Sequence, residues 1–200
     1  MDSKRLLIEY KPLTYDKTLI KEQVESGAPI TLSGVFQESG TLNQNGRVYP
    51  HEILAREIEK FGEMMRENRA YGALDHPESS IIELSNAAVL IKELGWDGNK
   101  LMGKLQVLNT QKGKDLQAIL EAGGAVGVSS RAFGSTHRNN EGHEIVNDDL
   151  ALITFDTVAN PSVTKAILNE SYDRSKTFFF NPTIDRKIAI DRILEEILRF

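Results

Sequence analysis

Apolar and polar positions alternate with two different periods along this chain, and the switches between them mark the elements. Residues 29–38 carry Ile30, Leu32 and Phe36 on one side and Thr31, Ser33 and Gln37 on the other, the period-two pattern of a strand half-buried against a core. A turn at Asn43-Gln44-Asn45-Gly46-Arg47 follows. Pro50 then opens a helix whose Leu54, Ile58, Phe61 and Met65 form one stripe, with the remaining face charged and directed to water. Extended segments at 87–94 and 101–108 flank Asp97-Gly98-Asn99, a hairpin signal. A short helix over 113–122 is ended by Gly123-Gly124. Strands at 125–133 and 150–158 surround a polar turn at 139–142, and Asn160-Pro161 closes the last of them.

Short antiparallel strands outnumber the helices between them. The expected class is therefore α+β, with a β-dominated core shaped as a curled antiparallel sheet or β-barrel and a few helices packed outside. The last thirty residues differ in character. They are nearly neutral, whereas the acidity of the chain lies in residues 1–170, and they contain Phe178-Phe179-Phe180 and a helix start at Asn181-Pro182. Ile190, Ile193, Leu194 and Ile197 would form the stripe of that helix. Two units are expected: a domain over 1–170 and a tail over 171–200, either docked on the core or removable.

Composition narrows the chemistry. The 200 residues include no Cys, which excludes a disulfide framework, a thiolate nucleophile and Cys-containing zinc sites. A net charge of −5 argues against a dedicated nucleic-acid binder. The longest uninterrupted apolar run, Ala87–Ile91, is far short of the ~18 residues a membrane helix needs, and the first nine residues lack a signal-peptide core, so no membrane partner and no export are expected. No two of the four histidines fall at i, i+4 on a helix with a carboxylate, so no metal site is expected. The glycines at 123–127 lead from helix into strand, the reverse of a phosphate-binding loop.

Three residues carry the remaining chemical potential. In Gly127-Val128-Ser129-Ser130-Arg131, strand alternation puts Ser130 with Val126, Val128 and Ala132 on the apolar face. Ser129 falls on the other face, toward a groove or solvent, beside a glycine and an arginine. A serine hydroxyl needs a base, and His76 is set apart from His51, His137 and His143, which read as exposed. Pro77 restricts His76 to extended backbone conformations, and Asp75 is badly placed to orient its ring. Asp156 lies inside the apolar strand Leu152–Val158, where a carboxylate requires a partner. That partner is a histidine N–H, Arg131 or backbone N–H groups.

These residues lie within a set of motifs that resembles the prohead (procapsid maturation) serine proteases of contractile-tailed bacteriophages, a group related to the herpesvirus assemblins. The set comprises Asn43–Pro50, Gly72-Ala73-Leu74-Asp75-His76-Pro77, Trp96-Asp97-Gly98-Asn99, Gly127–Arg131 with Gly134-Ser135, and Asp156-Thr157-Val158 with Pro161-Ser162. It spans about residues 29–165 in one order. The resemblance implies a serine endopeptidase with Ser129 as nucleophile, His76 as base and Asp156 as the acidic third member. Arg131 and Ser130 would support the oxyanion or the substrate, and no cofactor would be needed. Ala132 departs from the glycine that often follows Ser-Ser-Arg in such proteases. The implied substrates are phage scaffolding or core proteins and the major capsid protein, cut after Glu in Leu/Ile-X-Glu, by a homo-oligomer inside the prohead in the host cytoplasm. The same rule makes Glu170-Ser171, after Leu168-Asn169, a candidate autocleavage site, with Glu9 of Leu7-Ile8-Glu9 a second. A non-catalytic capsid or tail protein of barrel type and a small-molecule esterase are the competing readings. The esterase is disfavoured by the absence of a Gly-X-Ser-X-Gly elbow.

Overall fold

A computed structural model describes residues 4–77 and 81–159. In chain order the elements are β1 (Arg5–Pro12), α1 (Lys17–Ser26), β2 (Thr31–Glu38), β3 (Arg47–Val48), α2 (His51–Arg66), β4 (Tyr71–Ala73), β5 (Ala87–Asp97), β6 (Lys100–Val107), α3 (Gln111–Ala122), β7 (Gly127–Gly134), β8 (Thr136–Arg138), β9 (Glu144–Val146) and β10 (Ala151–Val158). The strands form three sheets, ordered β1-β7-β10, β2-β6-β5-β4 and β3-β9-β8. The α+β class with a β-dominated core holds. Among the described residues the sheets do not close into a barrel. β10 meets β4 through a single parallel bridge, Leu74 with Thr157, and β1 is tied to β2 by the Lys11–Glu38 ion pair rather than by a ladder.

Each element expected within the described residues is present, and the reasons are local. The β5–β6 hairpin turns at Gly98, whose φ of +57° is the left-handed region glycine tolerates. Helix α3 starts at Thr110, whose hydroxyl accepts the Gly113 N–H (3.0 Å), and ends at Gly123 with φ +84°. Leu54, Ile58 and Phe61 of α2 are buried as their spacing requires. Phe61 stands edge-on to Phe155 of β10 (centroids 5.6 Å apart), and Phe36 of β2 packs on Phe155 from another side (5.3 Å). Phe155 therefore pins the strand that also carries Asp156.

Three departures are informative. The polar face of α2 is not all in water: Glu57 is buried and accepts from Lys60 Nζ (2.7 Å), Arg56 Nε (3.0 Å) and the Leu152 N–H (3.2 Å), which ties the helix to β10. Gln37, on the polar side of β2, is also buried. The N-terminal segment is a full strand. β1 pairs antiparallel with β7 along its whole length, and Glu9 is an inward, buried carboxylate. It accepts from Asn45 Nδ2 (2.6 Å), Arg47 Nη1 (2.8 Å) and the Tyr49 hydroxyl (2.9 Å). Burial and then the adjacent Glu9 charge push the Tyr49 phenol well above its ordinary range. As an autocleavage candidate Glu9 is corrected: a protease binds an exposed extended segment, and this peptide is inside a ladder. The tail over 171–200 and its helix lie outside the described residues.

Glu9→Ala removes the acceptor of a buried ion pair and should destabilise the chain by about 3–5 kcal/mol in urea denaturation. A second expectation concerns acid. The Arg5 hydrogen bond, opposed by burial and reinforced by Arg47, holds Glu144 below its ordinary 4.5. A carboxyl lowered in the folded state stabilises above its unfolded pKa and loses that contribution as pH falls through the folded value. Denaturation midpoints should therefore fall as the pH is lowered through and below the ordinary glutamate range, and Glu144→Gln should flatten that fall.

Candidate active site

Strand β7 lies between β1 and β10, so Ser129 has Tyr10 opposite it on one side and Asp156 on the other. Register partners across an antiparallel ladder point to the same face. Ser129 and Asp156 thus share a face, and the loop after β4 brings His76 over it. His76 Nε2 lies 2.8 Å from Ser129 Oγ, and His76 Nδ1 lies 2.9 Å from Asp156 Oδ2. A carboxylate only accepts, so Nδ1 carries the proton and Nε2 is left to accept the serine O–H.

Asp156 has no exposed surface, and four donors surround it. Besides His76, the Ala73 N–H donates to Oδ1 (2.8 Å), Arg131 Nε to Oδ2 (2.8 Å) and Arg131 Nη2 to Oδ1 (3.4 Å). The partners weighed as alternatives for this carboxylate, histidine, arginine and backbone, all bind it together. Arg131 is equally buried, so its guanidinium faces Asp156 within the protein.

The placement of His76 depends on how closely β4 approaches β10. A Cβ on Gly72 would lie 2.1 Å from the Phe155 carbonyl oxygen, so only glycine permits this approach. The Thr154 hydroxyl donates to the Tyr71 carbonyl (2.6 Å) and the Thr157 hydroxyl to the Ala73 carbonyl (3.1 Å), crossing the seam where no regular ladder runs. Asp75 donates its N–H to the Thr157 carbonyl (2.8 Å) and takes φ +63°, reversing the chain just before His76. Asp tolerates that region better than most side chains. Gly72, Asp75 and Thr157 belong to the motifs quoted above, which carry no sign of this seam role, and Thr154 lies two positions before one of them.

Two expectations need adjustment. Ser129 is fully buried rather than open to a groove, because His76 and the strands on both sides enclose it. Ser130 faces the interior as expected, and its hydroxyl accepts from buried Gln37 Nε2 (3.0 Å), so this side chain is remote from any substrate on the Ser129 face. His51 is exposed, as read, but is not unattached: it shares a hydrogen bond with Ser39 Oγ (2.9 Å) and meets Trp96 edge-on. Among the described residues no cluster of His, Asp and Glu could hold a metal ion, and no helix is long and apolar enough to cross a membrane. Glu170 and Ser171 lie outside the described residues.

A hydroxyl, an imidazole and a buried carboxylate in one hydrogen-bonded line form an arrangement suited to acyl transfer through an activated serine. Comparison with known proteins places the chain among proteases. Residues 5–175 match the family described as prohead core protein serine protease, and the chain belongs to it. It is 34% identical over 139 residues to the prohead core protein protease of Enterobacteria phage T4, a match covering 68% of this chain and 66% of that relative's length. The solved structure of the bacteriophage T4 capsid assembly protease, gp21, superposes with a TM-score of 0.69 at 27% identity, covering 79% of this chain and 99% of the other.

Gly72→Ala should lower stability by about 1–3 kcal/mol, since the backbone oxygen it meets cannot rotate away. It should also weaken the His76–Asp156 bond, seen as loss of the downfield imidazole Nδ1 proton in ¹H NMR.

Proposed function

We propose that the chain is a serine endopeptidase of phage head maturation, cleaving prohead scaffolding or core proteins and the major capsid protein. The observation that carries this reading is the unbroken line Ser129–His76–Asp156 inside the segment that matches the family. Ser129 Oγ attacks the substrate carbonyl as His76 Nε2 takes its proton, and Asp156 stabilises the resulting imidazolium. A backbone N–H stabilises the oxyanion, and His76 returns the proton to the leaving amine. Water, deprotonated by His76, then releases the acyl group and regenerates Ser129. Arg131 acts through Asp156 and takes no proton.

The specificity we assign is cleavage after Glu in Leu/Ile-X-Glu segments. It carries with it the division into a protease domain over 1–170 and a tail over 171–200 released by cleavage between Glu170 and Ser171. The enzyme would act within the prohead, as a homo-oligomer and without a cofactor.

Incubation of the purified chain with a capsid-derived peptide, followed by intact mass, tests both parts. Ser129→Ala should abolish peptide cleavage and release of the tail, and a fluorophosphonate should label Ser129 in the parent chain. Asp156→Asn should lower kcat by about 10⁴-fold, the effect of losing the correct tautomer of the base. Normal processing by Ser129→Ala would remove this assignment.

A further inference from the structure

On the face of β7 that carries Ser129, the hydroxyl has four flanks. The β10 side is closed by Asp156 and His76, and the next position along β7 on that face is Arg131, which has no exposed surface. The other two flanks are built differently. Across the ladder toward β1 is Tyr10, the register partner of Ser129. Back along β7 is Gly127, which has no side chain, and its register partner Pro12 is exposed.

Tyr10 lies over that glycine. A Cβ on Gly127 would point to the Ser129 face and meet Tyr10 Cε2 at 2.1 Å and Cζ at 2.5 Å. The ring is half-buried, and its hydroxyl has no hydrogen-bond partner among the described residues. It thus forms a flat, partly open apolar surface immediately beside the nucleophile. A scissile carbonyl has to come within about 3–3.5 Å of Ser129 Oγ. With the Asp156–His76 and Arg131 flanks filled by groups bonded to one another through Asp156, the peptide's path lies along the Tyr10–Gly127 side.

The geometry points to Tyr10 as a substrate-contacting residue: its ring is the wall of a subsite beside Ser129 that receives an aliphatic side chain of the peptide. Glycine at 127 is what allows the ring to lie there. This inference rests on the proposed peptidase reading and adds to it a specificity determinant contributed by the N-terminal strand. An aromatic face favours a larger aliphatic group through added buried area and contact, and offers nothing comparable to a methyl.

A peptide series in which Leu is exchanged for Ala at each position around the scissile bond in turn provides the test, read as kcat/KM. The parent chain should prefer Leu at one position by about 10-fold or more. Tyr10→Ala should bring that ratio close to unity, whereas Tyr10→Phe, which keeps the ring, should preserve it. Tyr10→Val, favourable in a strand, supplies the same measurement if alanine unfolds the chain. Retention of the preference without the ring, or absence of any Leu preference in the parent, overturns the inference. Fluorophosphonate labelling of the parent separates the two levels: unlabelled Ser129 refutes the peptidase reading itself, while labelled Ser129 with unchanged selectivity in Tyr10→Ala refutes the role of Tyr10 alone.

Discussion

A carboxylate removed from water must be surrounded by donors, and much of this domain is arranged to surround Asp156. Stripping such a group of solvent costs several kcal/mol, which a single hydrogen bond does not offset. Arg131 supplies charge from the neighbouring strand, Ala73 supplies a main-chain N–H from across the seam, and His76 supplies the third partner. Each donor imposes a geometric demand. The Ala73 bond requires β4 to lie against β10, which in turn requires Gly72. The Arg131 bond requires the β7–β10 register that places Ser129 opposite Asp156. The orientation of the histidine toward the serine is thus a by-product of solving the solvation problem of one buried charge.

The same logic explains why Arg131 should not be read as a substrate anchor by its charge alone. It is on the face of Ser129, yet it is buried and bonded to Asp156. Its contribution is to hold Asp156 in place with two hydrogen bonds from the neighbouring strand. Behind the strand, Gln37 and Ser130 form a second polar contact in the interior, so β7 is held by hydrogen bonds on both of its faces.

Periodicity disclosed those elements whose two faces differ. Strand β2, helix α2, the β5–β6 hairpin and β10 were legible because an apolar stripe or an alternation marks each. Helix α1 was not: only Ile20 is fully buried along it, so its stripe is too thin to register, although Asp16 caps it by accepting the Thr18 N–H. Strand β1 was hidden by Glu9, a charge at an inward position that breaks the alternation and is satisfied only by residues some forty positions away. The three residues of the hydrogen-bonded line were legible one by one, Ser129 from its facing, His76 from its proline and Asp156 from its incongruous burial. Their convergence was not, since it depends on the β4–β10 seam, which leaves no periodic trace. Nor was the enclosure of Ser129, because His76, which lies over it, comes from a loop and not from a regular element.

The strand order β1-β7-β10 also has a temporal meaning. The strand of Ser129 is central, and its two neighbours are the first and the last strands of the described chain, with 80 residues separating the histidine from the acid it bonds. Contacts this distant in sequence form late in folding, after the local hairpins and helices. During synthesis, a ribosome must release Ala151–Val158 before Asp156 can complete the line, while β1 has waited since the beginning. On the proposed reading, hydrolysis is thereby withheld from every chain that still lacks β10, a safeguard that arises from topology alone.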